Sequence, residues 1–138
     1  MADNGELVNL IGTLESEHVE VRDALAKIDS AVTAKNSSAL SAALTSGLGV
    51  LGAGLDTHSL AEDNDLFPAI AEMMGEGLVS VFVEEHTRIR SLRDQIYQAM
   101  DRGDPDFEGS AEFSELLGDH IDREDAMLFP SARSMLAD

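Results

Sequence analysis

The phrase HSLAEDNDLFP, beginning at His58, returns as HIDREDAMLFP, beginning at His120. In both, a Glu follows the His by four residues and Leu-Phe-Pro closes at the same offset. A second repeat accompanies it, Glu17-His18-x-x-x-Arg22 recurring as Glu85-His86-x-x-x-Arg90. The chain therefore reads as an internal duplication, each half offering one lone His and one His-x-x-x-Glu. A step of four on a helix stacks two side chains on one face, one turn apart, so each pair can address a common centre.

Apolar periodicity supplies the helices. Ile11, Leu14, Val21, Leu25, Ile28 and Val32 alternate steps of three and four, with His18 in the missing seam position. Lys35-Asn36-Ser37-Ser38 marks an end, and a second run through Leu44, Leu48, Leu51 and Leu55 leads into His58 and Glu62. Beyond Met73 and Met74 the pattern breaks at Gly75-Glu76-Gly77. A third run through Val79, Phe82, His86, Ile89, Ile96 and Met100 is interrupted at Arg93 and ends near Arg102. RGDPDFEGS is turn chemistry, and a fourth run carries Phe113, Leu117, His120, Glu124 and Met127. Strand signals are absent. The expected fold is all-α, an up-down-up-down antiparallel four-helix bundle of two helical hairpins facing each other across a pseudo-twofold axis, one domain over residues 1–138.

Charge and composition narrow the function. With 27 acidic against 9 basic residues the chain carries a formal charge of −18, which repels phosphate backbones and anionic membranes. No nucleic-acid or membrane partner is expected, and a protein partner is left open. The absence of Cys removes disulfides, thiolate catalysis and Cys-ligated metals. The start shows no basic region followed by an apolar run, and no segment approaches membrane-spanning length, so the chain reads as soluble and cytoplasmic.

All 4 histidines fall on the helical seams, as do Glu62 and Glu124. Leu or Ile would ordinarily stand there, and unpartnered buried carboxylates cost several kcal/mol each. Something must bind them, and metal binding releases free energy on the scale required, about 10–16 kcal/mol for structural zinc. His18, His58, His86 and His120 with Glu62 and Glu124 are few ligands for one ion but suit two, with open positions left for a small ligand. Imidazole with carboxylate suits iron, and also zinc or manganese; iron is preferred.

EEHTRIRSLRDQI and HIDREDAMLFP resemble the hemerythrin-like family, the HHE cation-binding domain, and the resemblance covers nearly the whole chain. It implies a four-helix bundle around a non-haem di-iron centre, with the four histidines as terminal ligands and Glu62 and Glu124 bridging. Oxygen-carrying hemerythrins place a His-x-x-x-His on the third helix, whereas here Arg90 stands one turn after His86 and no fifth His exists. The pattern is more similar to the di-iron domain of repair-of-iron-centres proteins and of mycobacterial hemerythrin-like proteins. These relatives imply nitric oxide or peroxide chemistry, or iron donation. With open coordination positions, the leading expectation is a di-iron protein reacting with dioxygen, peroxide or nitric oxide, as a peroxidase, a catalase-like enzyme or a nitric oxide reductase. The alternative is a non-enzymatic module that senses, stores or delivers iron or gas.

Further expectations attach to single residues. Phe67 and Phe129, each before a Pro, are expected to form an apolar cap over the metals, with the prolines bending the helices. Arg22 and Arg90 flank the seam as edge residues pairing with surface acids. Glu17 and Glu85 are read as solvated, and Tyr97 as packing. GLGVLG spells a dinucleotide fingerprint but follows no strand, so its glycines are read as permitting close helix contact, with a gas tunnel beside Gly52 and Gly54.

Overall fold

In a computed structural model the described residues, 3–137, are helical almost throughout and contain no strand. Helix α1 (Asn4–Thr33) opens on Asp3, whose side chain accepts from the Glu6 amide. Its buried face runs Leu7, Ile11, Leu14, His18, Val21, Leu25 and Ile28, in alternating steps of four and three. The helix stops where Lys35 turns left-handed at φ 53°, the amides of Lys35 and Asn36 closing on the carbonyls of Val32 and Ala31. Asn36 then caps α2 (Ser37–Ser46) by accepting from the Ala39 amide.

The sequence pattern runs α2 straight on toward His58, but the chain bends by 58° between Ser37–Ser46 and the stretch Val50–Met74. Leu48, expected on the buried seam, lies at that bend and is 53% exposed. Val50–Met74 comprises a one-turn π segment at Val50–Gly54, helix α3 (Leu55–Ala61), a second π segment at Glu62–Leu66, and α4 (Phe67–Met74). Helix α5 (Glu76–Asp101) begins after Gly75 and is closed by Gly103, both with positive φ. Helix α6 (Phe107–Arg123), capped by Asp106, continues through a π segment at Glu124–Leu128 into α7 (Phe129–Leu136).

Two of the π segments have a chemical cause. Pro68 and Pro130 cannot donate to the carbonyls four residues before them, and a wider turn just ahead of each accommodates the ring. The Phe67 amide bonds the Glu62 carbonyl and the Phe129 amide bonds the Glu124 carbonyl, each spanning five residues. Repeated steps of four would drift off the face of a regular 3.6-residue helix. The extra residue in the wide turn absorbs the drift, so His58, Glu62, Leu66 and Ile70 are all buried, as are His120, Glu124, Leu128, Ala132 and Leu136. This shifts the fourth seam from expectation: Met127 is 44% exposed and Leu128 takes its place.

The elements pack as an all-α helical bundle with its apolar core in two parts. One cluster gathers Val21, Leu25, Leu51, Leu55, Ile89, Phe113 and Leu117; the other gathers Leu7, Ile11, Leu14, Leu66, Phe82, Leu128 and Phe129. Each of the four long helical stretches passes from one cluster to the other at its histidine, and the cluster in which it starts alternates along the chain. Among the described residues, no single helix is long and apolar enough to cross a membrane.

Arg93, an interruption in the sequence pattern, is buried at 8% exposure. Its guanidinium donates to Asp56 at 2.6 Å and to the Leu51 carbonyl at 3.2 Å, tying α5 to the first π segment. Arg93→Ala should lower the unfolding free energy by about 1–3 kcal/mol, the cost of stranding a buried acceptor and a carboxylate. Urea denaturation measures it, and Arg93→Lys, which keeps the charge but not the planar fork, should recover only part.

Candidate metal centre

Between the two apolar clusters lies a layer of six ionisable side chains, His18, His58, Glu62, His86, His120 and Glu124, none more than 6% exposed. Helices α1, α3, α5 and α6 each contribute one imidazole, and both glutamates open the π segments that follow α3 and α6. Their atoms converge. His18 Nε2 lies 3.2 Å from His58 Nε2 and 3.2 Å from Glu124 Oε1. Glu62 Oε1 lies 3.0 Å from His86 Nε2 and 3.5 Å from His58 Nε2, and His120 Nε2 lies 3.5 Å from Glu124 Oε1. Two overlapping groups result, His18–His58–Glu124 and Glu62–His86–His120–Glu124, with the potential donor atoms of each within 4.8 Å of one another.

A collar of carboxylates orients the imidazoles from outside. The Nδ1 of His18 faces Asp125 at 2.8 Å, that of His58 faces Glu17 at 2.9 Å, that of His86 faces Asp63 at 2.9 Å, and that of His120 faces Glu85 at 2.8 Å. With Nδ1 protonated and donating, the Nε2 lone pair of each ring points inward. Guanidinium groups hold two of the collar residues in turn: Arg22 donates to Asp125 at 2.7 Å, and Arg123 donates to Glu85. Glu17, expected to be solvated, keeps 41% of its side chain exposed yet reaches His58, while Glu85 is only 19% exposed and faces His120, so the solvated reading fails for Glu85 and is incomplete for Glu17. Asp63 and Asp125 escaped the sequence reading altogether, although Glu-Asp sits at the same place in both copies of the repeated phrase. Arg22 pairs with Asp122 and Asp125 as an edge residue, as expected, while in the other half it is Arg123 that grips the collar.

Inside the collar, acceptors face acceptors. Both carboxylate oxygens of Glu62 and of Glu124, and Nε2 of His86, are buried with no hydrogen-bond partner among the described residues. Burial alone would raise the Glu62 carboxyl, but contacts with Glu124, His58 and His86 outweigh it and hold it below the usual carboxylate range. Burial and the neighbouring Glu62 push Glu124 well above that range. His120 is driven down to about 4, chiefly by burial, and burial also lowers His18. At His58 burial is outweighed by Glu62 and Glu17, and the net shift is upward. A buried set of acceptors without a donor is what a cation satisfies, so the residues present fit a metal.

Aromatic rings close one side. Phe129 stacks on His18 and Phe67 on His86, with centroids 5.6 Å apart in each pair, and Phe82 meets His120 edge-on at 5.3 Å. Phe67 and Phe129 therefore form an apolar wall against the imidazoles, in keeping with the expected cap. Toward the other cluster a cavity of about 10 Å³ remains, walled by Val21, Leu55, Ser59, Ile89, Leu117 and Ile121 beside the histidines. That is room for about one water-sized group. A second cavity, of about 50 Å³, reaches His58 past Gly54, Val50 and Glu17. Gly54 is thus placed as the tunnel expectation required, whereas Gly52 does not line it. A Cβ at Gly54 would fall 2.8 Å from the Gly49 carbonyl and one at Gly47 3.3 Å from the Ala43 carbonyl, so these two glycines are tight against the preceding turn of their own stretch. A Cβ at Gly49 would meet nothing within 4 Å among the described residues and one at Gly52 would come no nearer than 3.8 Å to Leu48, so the close helix contact expected of them is not found. The Tyr97 hydroxyl donates to the Leu44 carbonyl at 2.7 Å, in agreement with a packing role.

A family model described as the hemerythrin HHE cation binding domain matches residues 9–132. Among curated proteins, a DNA nickase from Nostoc sp. is 27% identical over 84 residues, which cover 60% of this chain and 24% of that protein. The chain thus spans about a quarter of the relative's length. No solved structure matches significantly.

The collar gives a direct test. Asp125→Asn keeps the size of the His18 partner but removes its charge, and should weaken metal binding by about 10- to 100-fold. Competition against a chelator of known affinity measures the change, and an Asp122→Asn variant, which alters the outer arginine contact alone, should move it far less.

Proposed function

The chain belongs to the hemerythrin HHE cation-binding domain family, and from that premise we propose that it is a non-haem di-iron protein that binds or reduces a small oxygen or nitrogen species. The observation that carries this reading is the set of inward-facing acceptors: four imidazoles fixed by Nδ1 partners and two buried carboxylates whose oxygens have no protein donor. His18, His58, His86 and His120 serve as terminal ligands. Glu62 and Glu124 would be shared between the two ions, which fits the membership of Glu124 in both atom groups and the reach of Glu62 Oε1 to His58 and His86. The alternation of the apolar clusters along the chain supports an up-down-up-down, duplicated four-helix arrangement.

Iron bound there supplies open coordination positions and a reversible change of oxidation state; zinc or manganese would satisfy the same donors without equal redox range. The chain's own residues do the rest. The two glutamates, both fully buried, balance cationic charge. The collar carboxylates hold each Nδ1 proton and make each Nε2 a stronger donor. The apolar walls and the cavity of about 10 Å³ restrict access to dioxygen, nitric oxide or peroxide-sized species and keep organic substrates out. With no fifth histidine in the chain, reversible oxygen carriage of the hemerythrin kind is not part of this reading.

A second reading, non-enzymatic sensing, storage or delivery of gas or iron, draws support from the cavity wall, which offers no titratable group beyond the six central residues and so no separate general acid or base. The Nostoc relative's name denotes an activity on DNA; a net charge of −18 favours a substrate other than a polyanion for this chain.

Metal analysis of protein from iron-supplied cells should give about two irons per chain, the content of a two-metal site. Zinc alone, with iron available, would sink the redox reading. Under excess nitric oxide or peroxide, catalytic consumption marks an enzyme and a stoichiometric spectral change marks a binding module. Glu124→Leu should move two properties in opposite directions. Bound iron falls, while the metal-free protein gains about 1–3 kcal/mol of stability because a buried carboxyl without a donor is gone.

A further inference from the structure

The wall of the small cavity obeys the duplication with two exceptions: Glu62 lines it without its counterpart Glu124, and one pair of wall residues differs in polarity. Residues 62 apart correspond in the two His-x-x-x-Glu segments, as His58 and His120 do, and residues 68 apart correspond in the two lone-His helices, as His18 and His86 do. By that register Val21 faces its counterpart Ile89 and Leu55 faces Leu117, apolar against apolar. Ser59 corresponds to Ile121. A serine therefore stands in the cavity wall where a branched hydrocarbon stands at the matching position, at 3% exposure, directly after the ligand-type His58.

The same half is also the open one. Gly54 lines the second cavity that reaches His58, and its counterpart 62 residues on is Leu116, a side chain packed against the core cluster. The three departures from pseudo-symmetry, a missing side chain at the approach, a serine in the cavity wall and Glu62 beside it, fall in one half of the duplication.

We propose that Ser59 is a specificity-determining residue of the small-ligand cavity, its hydroxyl donating a hydrogen bond to the outer, electron-rich atom of the species held there. The proposal rests on the functional reading above and deepens it. A hydroxyl in an apolar wall is stabilised only when it is partnered, and a ligand atom that gains negative character on binding is such a partner. The wall then discriminates by polarity. Ligands whose outer atom accepts a hydrogen bond, such as nitric oxide or dioxygen, are retained over carbon monoxide, a poorer acceptor of similar size. The single hydroxyl also fixes orientation, since the matching position at Ile121 has nothing to donate. A serine that merely bonds its own helix carbonyl would make no such distinction.

The test uses the full-length, iron-loaded protein with nitric oxide as probe. Ser59→Ala, checked for unchanged iron content, should release nitric oxide about two- to tenfold faster, the range for loss of one ordinary hydrogen bond. In the wild type the N–O stretch should shift between H2O and D2O, and in Ser59→Ala that sensitivity should vanish. Equal release rates, with no isotope shift in either protein, overturn the proposal while leaving the functional reading intact. If Ser59→Ala loses iron, the isotope shift in the wild type decides: its presence supports the hydroxyl donor and its absence overturns it. Wild type that holds two irons and binds no nitric oxide overturns this inference, and if it also fails to react with dioxygen and peroxide it overturns the functional reading.

Discussion

Imidazole lone pairs and carboxylate oxygens are all acceptors, and here they are turned toward one another in a buried layer between two apolar clusters. Nothing in the protein separates them. Either protons are shared among them, with carboxyl groups forced apart in acidity as Glu62 and Glu124 are, or cations lie between them. The rest of the structure serves to impose that confrontation. Four helical stretches are needed because each supplies one histidine, and the apolar core is divided because every helix must cross the polar layer once. The two clusters act as clamps on either side, and their hydrophobic burial holds the acceptors together before anything binds.

The collar of Asp63, Asp125, Glu17 and Glu85 converts four rotatable rings into fixed ones. Each collar residue comes from a different helical stretch than the imidazole it holds: Asp125 reaches from after α6 to His18, Glu17 from α1 to His58, Asp63 from after α3 to His86, and Glu85 from α5 to His120. Orientation of the rings is therefore tied to correct assembly of the bundle. The π segments play a comparable part. They keep a step of four on one face long enough for an imidazole, a carboxylate and the hydrophobic residues beyond them to be buried in one line.

The six central residues were legible in the sequence because histidines and glutamates replaced leucines on a periodic seam, and did so twice. The structure brings all six together, and the phenylalanines before the prolines meet the rings as the repeat suggested. What escaped was of two kinds. The seam positions Leu48 and Met127 were misplaced because a regular period was carried through a bend and through a wide turn, features that Gly47 and Pro130 signalled but did not locate. The collar carboxylates were missed because helical spacing describes neighbours on one helix, whereas each collar contact joins two helices. The repeated Glu-His and Glu-Asp pairs were visible, and only tertiary packing turned them toward a partner's histidine.

The duplication has a consequence for what the cavity can become. Two identical hairpins related by a true twofold axis would present the same residue at both ends, two serines or two isoleucines, two open approaches or two closed ones. Joining the copies in one chain lifts that restriction. Position 59 can carry a hydroxyl while position 121 stays apolar, and position 54 can lose its side chain while position 116 keeps one. A bond formed between unlike ends has a head and a tail, so the covalent link between two similar halves gives a nearly symmetric scaffold a direction.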